Sequence, residues 1–289
     1  MSIKKYLEEI EDLSGKKVLI AGGTAGIGLS IVRHLLYKHA DVVILARSEN
    51  KFNFIKSTLL ETYPDGHIDF VKYDQSNDQS VKLAAHQILQ SHCDFYALIL
   101  NAGIIQSSKN ITQTDGYPTT IKTNYVGIAL LLKYLVPHLK EGQRVIFQGS
   151  LCAGFQLGRI DSLKEQKPRM FRLYFLSKAG IEALFYHYNK QDNIAPSFYL
   201  VEPGITKSEI TRDFIPFIRV LGKIVLTLFS HSTDKAALTA IKALDPKVEK
   251  GAYIVPKGLF AYCGYPKIKA FPRRRQREYL VEMLDEQYR

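Results

Sequence analysis

The fold is set by the segment Ala21-Gly22-Gly23-Thr24-Ala25-Gly26-Ile27-Gly28. This segment follows a short β-branched run at residues 18–20 and leads into a helical pattern of apolar residues. Its glycines suit a sharp turn in which backbone N–H groups approach a pyrophosphate at a helix N-terminus, where the helix dipole favours anions. We expect five residues of this turn to contact such a ligand: Gly22, Thr24, Gly26, Ile27 and Gly28. The spacing differs from the usual GxGxxG dinucleotide fingerprint. A strand–helix turn without a ligand therefore stays open as the alternative.

Strand-like and helix-like patterns alternate along the chain. Short β-branched or apolar runs predict strands at residues 18–20, 42–45, 68–71, 95–100, 145–147 and 197–201. Because segments of helix length separate them, the alternation predicts an α/β fold, a doubly wound parallel sheet of the Rossmann type with helices on both faces. We place a lead-in helix at 1–15, a single domain at 16–266 and an appended tail at 267–289.

The composition narrows the class of protein. The 289 residues are 46% hydrophobic and 23% charged, which excludes disorder, collagen and coiled coil and suffices for one large core. The three cysteines, an odd number without CxxC spacing, argue against a disulfide framework and a structural zinc site. We therefore expect no metal and a reducing compartment, the cytoplasm. The first residues lack the apolar core of a signal peptide.

The net charge of +11 is concentrated in two segments of the chain. Residues 159–178 hold six basic and two acidic residues, and residues 267–277 hold six basic residues and no acidic one. These two segments account for +10, so the remaining chain is nearly neutral. We expect the tail to be a solvated surface, and we expect the basic excess of the first segment to attract an anionic cofactor or substrate.

A basic excess also suits nucleic acid or an anionic membrane. The chain lacks the interleaved aromatic and basic residues of a nucleic-acid groove, so we expect no nucleic acid. The most apolar stretch, residues 214–229, is interrupted by Pro216, Arg219, Gly222 and Lys223. It also falls short of the roughly 20 residues that a membrane span needs. We expect no span, and peripheral contact of this stretch with a membrane surface stays open.

The end of the second predicted strand bears on cofactor choice. Ala46 stands where a dinucleotide fold that prefers NAD places a carboxylate on the ribose 2′-hydroxyl, and Arg47 follows it. A guanidinium suits a 2′-phosphate. This pair predicts NADP(H) in preference to NAD(H), with NAD(H) still open. A solvated arginine at a strand end is the alternative.

A tyrosine four residues before a lysine on a helix brings a phenol and an ammonium onto one face. The motif alone is not diagnostic, because the chain contains four such pairs: Tyr174/Lys178, Tyr186/Lys190, Tyr253/Lys257 and Tyr265/Lys269. The pair at Tyr174 differs from the others because it opens a helix after a predicted strand that leads into Ser150. That order places it at the carboxyl edge of the sheet, where such folds bind ligands.

In this order, the motifs resemble the short-chain dehydrogenase/reductase family over essentially the whole chain. The glycine turn resembles the family's cofactor loop, and Asp74 resembles the acid that contacts adenine. Asn101-Ala102-Gly103 resembles its NAG motif, and Pro203-Gly204 resembles its turn beside the nicotinamide. The family's catalytic tetrad is matched by Asn124, Ser150, Tyr174 and Lys178.

The resemblance implies an NADP-dependent oxidoreductase that transfers a hydride between the cofactor and a carbonyl or alcohol group of a small molecule. It implies that Tyr174 exchanges a proton with the substrate oxygen, that Ser150 hydrogen-bonds this oxygen, and that Asn124 anchors a water linked to Lys178. Lys178 is expected to hold the ribose hydroxyls. Because a phenol has a pKa of about 10, the charge of Lys178 is also expected to stabilise the phenolate.

The chain departs from the family pattern at several points. Ala21 and Leu100 replace a usual Thr and Asn, and neither change removes a group that the chemistry needs. The gap of 24 positions between Ser150 and Tyr174 is unusually long, so residues 159–172 are expected to loop out. This gap, the Ala46-Arg47 pair and the tail are most similar to the retinol dehydrogenase-like and WW-domain oxidoreductase-like branch.

Residues 205–230 lie where members of this family carry a mobile substrate lid. The apolar residues of this segment predict a hydrophobic carbonyl or alcohol substrate, since closure of such a lid would exclude water. A catalytically silent NADP-binding regulatory or membrane-surface protein of the same fold is the alternative function. The intact tetrad argues against it, and a homo-oligomer stays open.

Overall fold

One eight-stranded sheet organises the chain in the computed structural model, which describes residues 1–107, 109–156, 160–164, 169–206, 230–258 and 261–287. In chain order the strands are β1 (Lys17–Ala21), β2 (Asp41–Ala46), β3 (Ile68–Lys72), β4 (Ala97–Leu100), β5 (Gln113–Thr114), β6 (Tyr117–Pro118), β7 (Arg144–Gln148), β8 (Ser197–Val201), β9 (Tyr253–Pro256) and β10 (Pro266–Lys269). The sheet order is β10-β9-β8-β7-β4-β1-β2-β3, and β5 and β6 form a separate antiparallel pair.

The six strands predicted from apolar runs are confirmed, with small shifts at their ends. The predicted strand at 95–100 begins only at Ala97. Every neighbouring pair in the sheet is parallel except β9 and β10, so the predicted doubly wound parallel sheet is confirmed, with one antiparallel strand added at its edge. Strand β10, whose sequence is Pro-Lys-Ile-Lys, is typical of an exposed edge, where proline and lysine discourage further pairing.

Helices cover both faces of the sheet. They are α1 (Ile3–Glu8), α2 (Gly26–Tyr37), α3 (Glu49–Thr62), α4 (Asp78–Ser91), α5 (Thr119–Ile121), α6 (Gly127–Leu135), α7 (Met170–Asn189), α8 (Thr233–Lys242) and α9 (Tyr279–Gln287). Alternate strand residues point to opposite faces. Accordingly, Leu19 packs in the core beneath α4, α6, α7 and α9, whereas Val18 and Ile20 pack beneath α1, α2, α3 and α8. This is the two-faced layering of a doubly wound fold.

The segment from residue 267 onward, set apart above as a tail, packs onto the domain. It supplies most of β10 and the helix α9, whose Leu280 and Leu284 are buried in the core. The Tyr125 hydroxyl, itself fully buried, donates a hydrogen bond to the Leu280 carbonyl oxygen at 2.6 Å. Arg275 is only 5% exposed, so the expectation of a solvated surface is wrong for this residue. The neighbouring Arg273 and Arg274 are exposed.

Two sequence expectations fall partly outside the described residues. These are the lid, of which 207–229 are not described, and the loop expected at 159–172, of which 159 and 165–168 are not described. The loop expectation is wrong for residues 170–172, which form the start of α7. The apolar stretch at 214–229 lies wholly outside them. Among the helices that are described, none combines the length and the apolar character required to cross a membrane.

Candidate active site

The glycine turn lies between β1 and α2 and is closely packed. Gly22 adopts φ +80°, and a Cβ atom on it would lie 2.9 Å from the Cα of Ala102. A Cβ atom on Gly28 would overlap the carbonyl oxygen of Gly22. These contacts explain why the turn needs glycine, since any side chain at either position would meet backbone.

The first turn of α2 is open to a ligand. Ala25 precedes the helix and makes no side-chain capping hydrogen bond, so the first N–H groups of α2 have no side-chain acceptor from the N-cap residue. Gly26 is exposed, has φ +54°, and has nothing within 4 Å of the position of a Cβ atom. Thr24 and Ile27 are half-buried beside it. A 12-residue helix with this N-terminus favours an anion there.

The residues after β4 hold the glycine turn in place. The Asn101 side chain donates to the carbonyl oxygens of Gly22 at 3.1 Å and Ala21 at 3.4 Å. Gly103 lies farther along, where a Cβ atom would be 3.5 Å from both the Asn124 Oδ1 atom and the Lys178 Nζ atom. This segment therefore connects the glycine turn to the predicted catalytic residues.

The ends of β2 and β3 lie side by side, because Ala46 pairs with Lys72. Arg47 follows Ala46 and is exposed at the carboxyl edge of the sheet. Asp74 is two residues beyond β3 and half-buried, and its Oδ1 atom accepts hydrogen bonds from the Ser76 N–H at 3.0 Å and the Ser76 hydroxyl at 2.7 Å. The two residues predicted to contact an adenosine moiety thus occupy adjacent strand ends.

Three of the predicted catalytic side chains converge where β7 ends beside α7. Ser150 precedes a 3₁₀ turn, Leu151–Phe155, and its hydroxyl accepts a hydrogen bond from the Cys152 N–H at 3.2 Å. Tyr174 is in the second turn of α7, and its phenol lies beside the Ser150 hydroxyl. The Lys178 Nζ atom is 5.9 Å from the centroid of the Tyr174 ring and donates to the Gln148 carbonyl oxygen at 3.2 Å.

Burial is the main cause of the pKa shifts of Tyr174 and Lys178. Burial raises the pKa of the Tyr174 phenol well above its ordinary value; the neighbouring Cys152 adds to this shift and the Ser150 hydroxyl opposes it. Burial also lowers the pKa of Lys178 to about 8. The stabilisation of a phenolate by Lys178, aided by the positive nicotinamide ring of an oxidised cofactor, stays a prediction. Tyr174 is held in its protonated form.

Asn124 lies in a π turn, Lys122–Val126, between α5 and α6. Its side chain is fully buried and pairs with the backbone of Ile104, accepting from its N–H and donating to its carbonyl oxygen, both at 2.7 Å. It also donates to the Ser177 hydroxyl at 3.1 Å. Asn124 therefore links α7 to the segment after β4, and π turns of this kind occur frequently at functional sites.

Pro203-Gly204 follows β8 at the same edge. Gly204 adopts φ +74°, and a Cβ atom on it would overlap the Tyr262 carbonyl oxygen. The His231 side chain donates to the Pro203 carbonyl oxygen at 2.6 Å, and burial lowers the pKa of this imidazole. Sequence reasoning did not single out His231, which becomes a neighbour of the turn only through the fold.

Comparison with known proteins identifies the family. The sequence model of the short chain dehydrogenase family matches residues 16–216. The chain belongs to this family. A short-chain dehydrogenase/reductase from Armillaria gallica is 28% identical over 88% of this chain and 85% of its own length. Retinol dehydrogenase 12 from Mus musculus is 28% identical over 79% of this chain and 73% of its own length.

Other similar proteins match a smaller or larger share of this chain. Short-chain dehydrogenase TIC 32 B, chloroplastic, from Brassica napus is 35% identical over 44% of this chain, a match that spans only 39% of that protein. Among solved structures, a short chain dehydrogenase from Burkholderia cenocepacia in complex with NADP has a TM-score of 0.67 and 20% identity, covering 84% of this chain and 96% of its own. An uncharacterized protein from Mycobacterium paratuberculosis has a TM-score of 0.75 and 20% identity, covering 97% and 96%. These likenesses show the fold.

Two features of this short chain dehydrogenase site gave no signal in the sequence. Cys152 is half-buried beside Tyr174, and burial raises the pKa of its thiol. Arg275 donates a hydrogen bond to the Ser150 carbonyl oxygen at 3.2 Å, although the two residues are 125 positions apart in the sequence. Both contacts depend on tertiary packing, which a local pattern does not encode.

The buried ammonium of Lys178 predicts a pH-dependent cost in stability. Its pKa is about 8 in the folded protein and ordinarily 10.5, so as the pH rises from 8 to 10.5 the folded state releases this proton while the unfolded state still binds one. The free energy of unfolding of the wild type, relative to Lys178→Met, should therefore rise over this interval by up to about 3 kcal/mol. Urea unfolding at pH 7 and pH 10 would measure it.

The matched control is Lys82→Met on α4, where the lysine is exposed. The free energy of unfolding of this variant should differ from that of the wild type by an amount that stays constant over the same pH interval. A constant difference for Lys178→Met as well would contradict the burial of a costly ammonium at this position.

Proposed function

We propose that this chain is an NADP-dependent oxidoreductase that transfers a hydride between the cofactor and a carbonyl or alcohol group of a hydrophobic small molecule. The observation that carries the proposal is the convergence of Tyr174, Ser150 and Lys178 at the sheet edge that also holds the uncapped N-terminus of α2. Ligands of open α/β sheets bind at the carboxyl ends of the strands. A proton donor and an anion site therefore share one edge.

The residues at this edge fit a dinucleotide. The N-terminus of α2 would hold the pyrophosphate, since its N–H groups lack a side-chain cap and Gly26 leaves space above them. Asp74 would contact the adenine and Arg47 the 2′-phosphate. Lys178 would hold the ribose hydroxyls. When bound, the cofactor supplies or accepts the hydride.

Tyr174 would exchange a proton with the substrate oxygen. Because burial raises its pKa, the phenol is protonated at neutral pH and suited to donate to a carbonyl oxygen during reduction. Ser150, whose hydroxyl lies beside the Tyr174 phenol, would donate to the same oxygen and fix it where negative charge develops. Asn124 holds α7 in register with the segment after β4.

A hydrophobic substrate is favoured over a sugar. Apolar residues in the segment 205–230 support this, together with the relative named retinol dehydrogenase 12. An apolar aldehyde or ketone would bind where water is excluded, which strengthens the hydrogen bonds to its oxygen.

The function is tested by NADPH consumption with a panel of apolar aldehydes, apolar ketones and sugar aldehydes. We expect turnover with members of the apolar set and little with the sugars. Binding of NADPH without turnover of any carbonyl, and without oxidation of the matching alcohols by NADP⁺, would overturn the enzymatic proposal. It would favour a cofactor-binding regulator of the same fold.

Cofactor preference gives a separate prediction. Thermal unfolding with equal concentrations of NADPH and NADH should show the larger stabilisation by NADPH. Arg47→Ala should weaken NADPH binding about 10- to 100-fold, the range expected for losing a hydrogen bond to a charged group, and should leave NADH binding unchanged. Arg33→Ala, which removes an exposed arginine from α2, is the control. Equal stabilisation by both cofactors would contradict the role of Arg47.

A further inference from the structure

Arg275 is the centre of a buried ionic cluster behind the candidate active site. It ends a 3₁₀ turn, Arg273–Arg275, and is 5% exposed, while the carboxylates of Glu182 and Glu202 are fully buried. Its Nε atom donates to Glu182 Oε2 at 2.8 Å, and its Nη2 atom donates to the other oxygen of Glu182 and to Glu202.

The same guanidinium also contacts two uncharged groups. Its Nη1 atom donates to the Tyr253 hydroxyl at 2.8 Å, and Nη2 donates to the Ser150 carbonyl oxygen at 3.2 Å. The Tyr253 hydroxyl also lies close to Glu202, which adds to the increase that burial causes in the pKa of the phenol. One side chain thereby joins four acceptors that are far apart in sequence.

Three of these acceptors lie on elements that carry residues of the candidate site. Ser150 is itself one of them. Glu182 is on α7, four residues after Lys178 and eight after Tyr174, a spacing that places all three near one face of the helix. Glu202 directly precedes Pro203-Gly204 at the end of β8.

The two carboxylates of the cluster need a nearby positive charge. Burial raises the pKa of Glu182, and Arg275 opposes that shift by hydrogen bonding to the carboxylate and by its charge. Arg277 also approaches Glu182, but its Nη1 atom is 3.9 Å from Oε2, beyond hydrogen-bond distance. Without Arg275, two buried carboxylates would face each other with no hydrogen-bonded cation, close to Lys178, whose ammonium is attracted by Glu182. A buried charge left without its partner is strongly destabilising.

We propose that Arg275 is a positioning residue of the hydride-transfer site, because it holds the Ser150 loop and the turn after β8 in register with the Tyr174 face of α7. This inference rests on the proposed function. The shape of the guanidinium matters as well as its charge. Arginine offers five N–H donors in a planar fork, whereas lysine offers three donors from one nitrogen and does not span these acceptors.

The test is Arg275→Lys, which keeps the positive charge and removes the fork. We expect kcat to fall at least about ten-fold with a small change in KM, since small misplacements of reacting groups are costly. Hydrogen exchange should accelerate at the amides of Cys152 and Ala153, which bond to the Ser150 hydroxyl and carbonyl oxygen, and stay unchanged in β1. Arg274→Lys, in the same turn but exposed, is the matched control.

Several outcomes would overturn the proposal. An unchanged kcat does so, and so does a fall in kcat that matches the loss of folded protein with exchange raised throughout the core. If Arg275→Lys does not fold, Tyr253→Phe removes one acceptor and keeps every charge; unchanged kcat and exchange in that variant also overturn it. If the wild type turns over no substrate, the proposed function fails. The exchange comparison then decides alone whether Arg275 positions the Ser150 loop.

Discussion

Tyr174→Phe is expected to lower kcat by roughly 10²- to 10⁴-fold, the range for losing a general acid. The substitution removes only the hydroxyl, so the ring keeps its packing in α7 and the fold is retained. NADPH affinity should stay within about two-fold of the wild type, because the N-terminus of α2 and Lys178 are untouched. Steady-state NADPH consumption with an apolar carbonyl, together with fluorescence titration of NADPH, measures both quantities.

The chain contains a matched control on the same helix. Tyr186 and Lys190 repeat the spacing of Tyr174 and Lys178, and Lys190 Nζ is 6.0 Å from the Tyr186 ring centroid, close to the 5.9 Å of the proposed pair. Tyr186 is three turns farther along α7, away from Ser150, so Tyr186→Phe should retain full activity. Retention of the wild-type rate by Tyr174→Phe would exclude this phenol as the proton donor.

Gly28→Ala is expected to remove NADPH binding and to destabilise the fold. The added methyl group would overlap the Gly22 carbonyl oxygen and lie 2.6 Å from the Asn101 Nδ2 atom. Backbone must move to relieve this contact, at a cost near the upper end of the usual 1–3 kcal/mol for overpacking, about 3 kcal/mol. The movement would displace the N–H groups of the first turn of α2 from the pyrophosphate site.

Urea unfolding and NADPH titration would measure the two effects. Gly154→Ala is the control, because a Cβ atom on Gly154 has nothing within 4 Å and its φ is not in the left-handed region. It should bind NADPH as the wild type does. Normal NADPH affinity in Gly28→Ala would show that the close approach of β1 and α2 is not needed for binding.

The fold was largely predictable because its signals are local. The β-branched runs and the helices between them repeat at periods that a short window reveals, and burial of both faces of the central strands makes those runs apolar throughout. Strands β9 and β10 were not predicted from the sequence. Each is four residues long and contains proline, and their pairing joins segments that no local pattern connects.

The position of the candidate site could be predicted from the sequence, whereas its protonation could not. The order of the glycine turn, Asn101, Ser150, Tyr174 and Lys178 along the chain is sufficient to place them at one edge, because parallel strands bring their carboxyl ends together. The protonation of the site was not predictable. Burial raises the pKa of Tyr174 and lowers that of Lys178, and burial depends on everything that packs around α7.

The sequence alone was enough to establish the layered fold, the family and the residues of the glycine turn, since these follow from spacing within a few turns or strands. Tertiary structure decided the part played by the C-terminal segment. Arg275 reads as one of a run of basic residues, yet it lies buried against Glu182 and Glu202, which are 93 and 73 residues away. Its role depends on three distant elements meeting at one guanidinium, and only the folded chain brings them together.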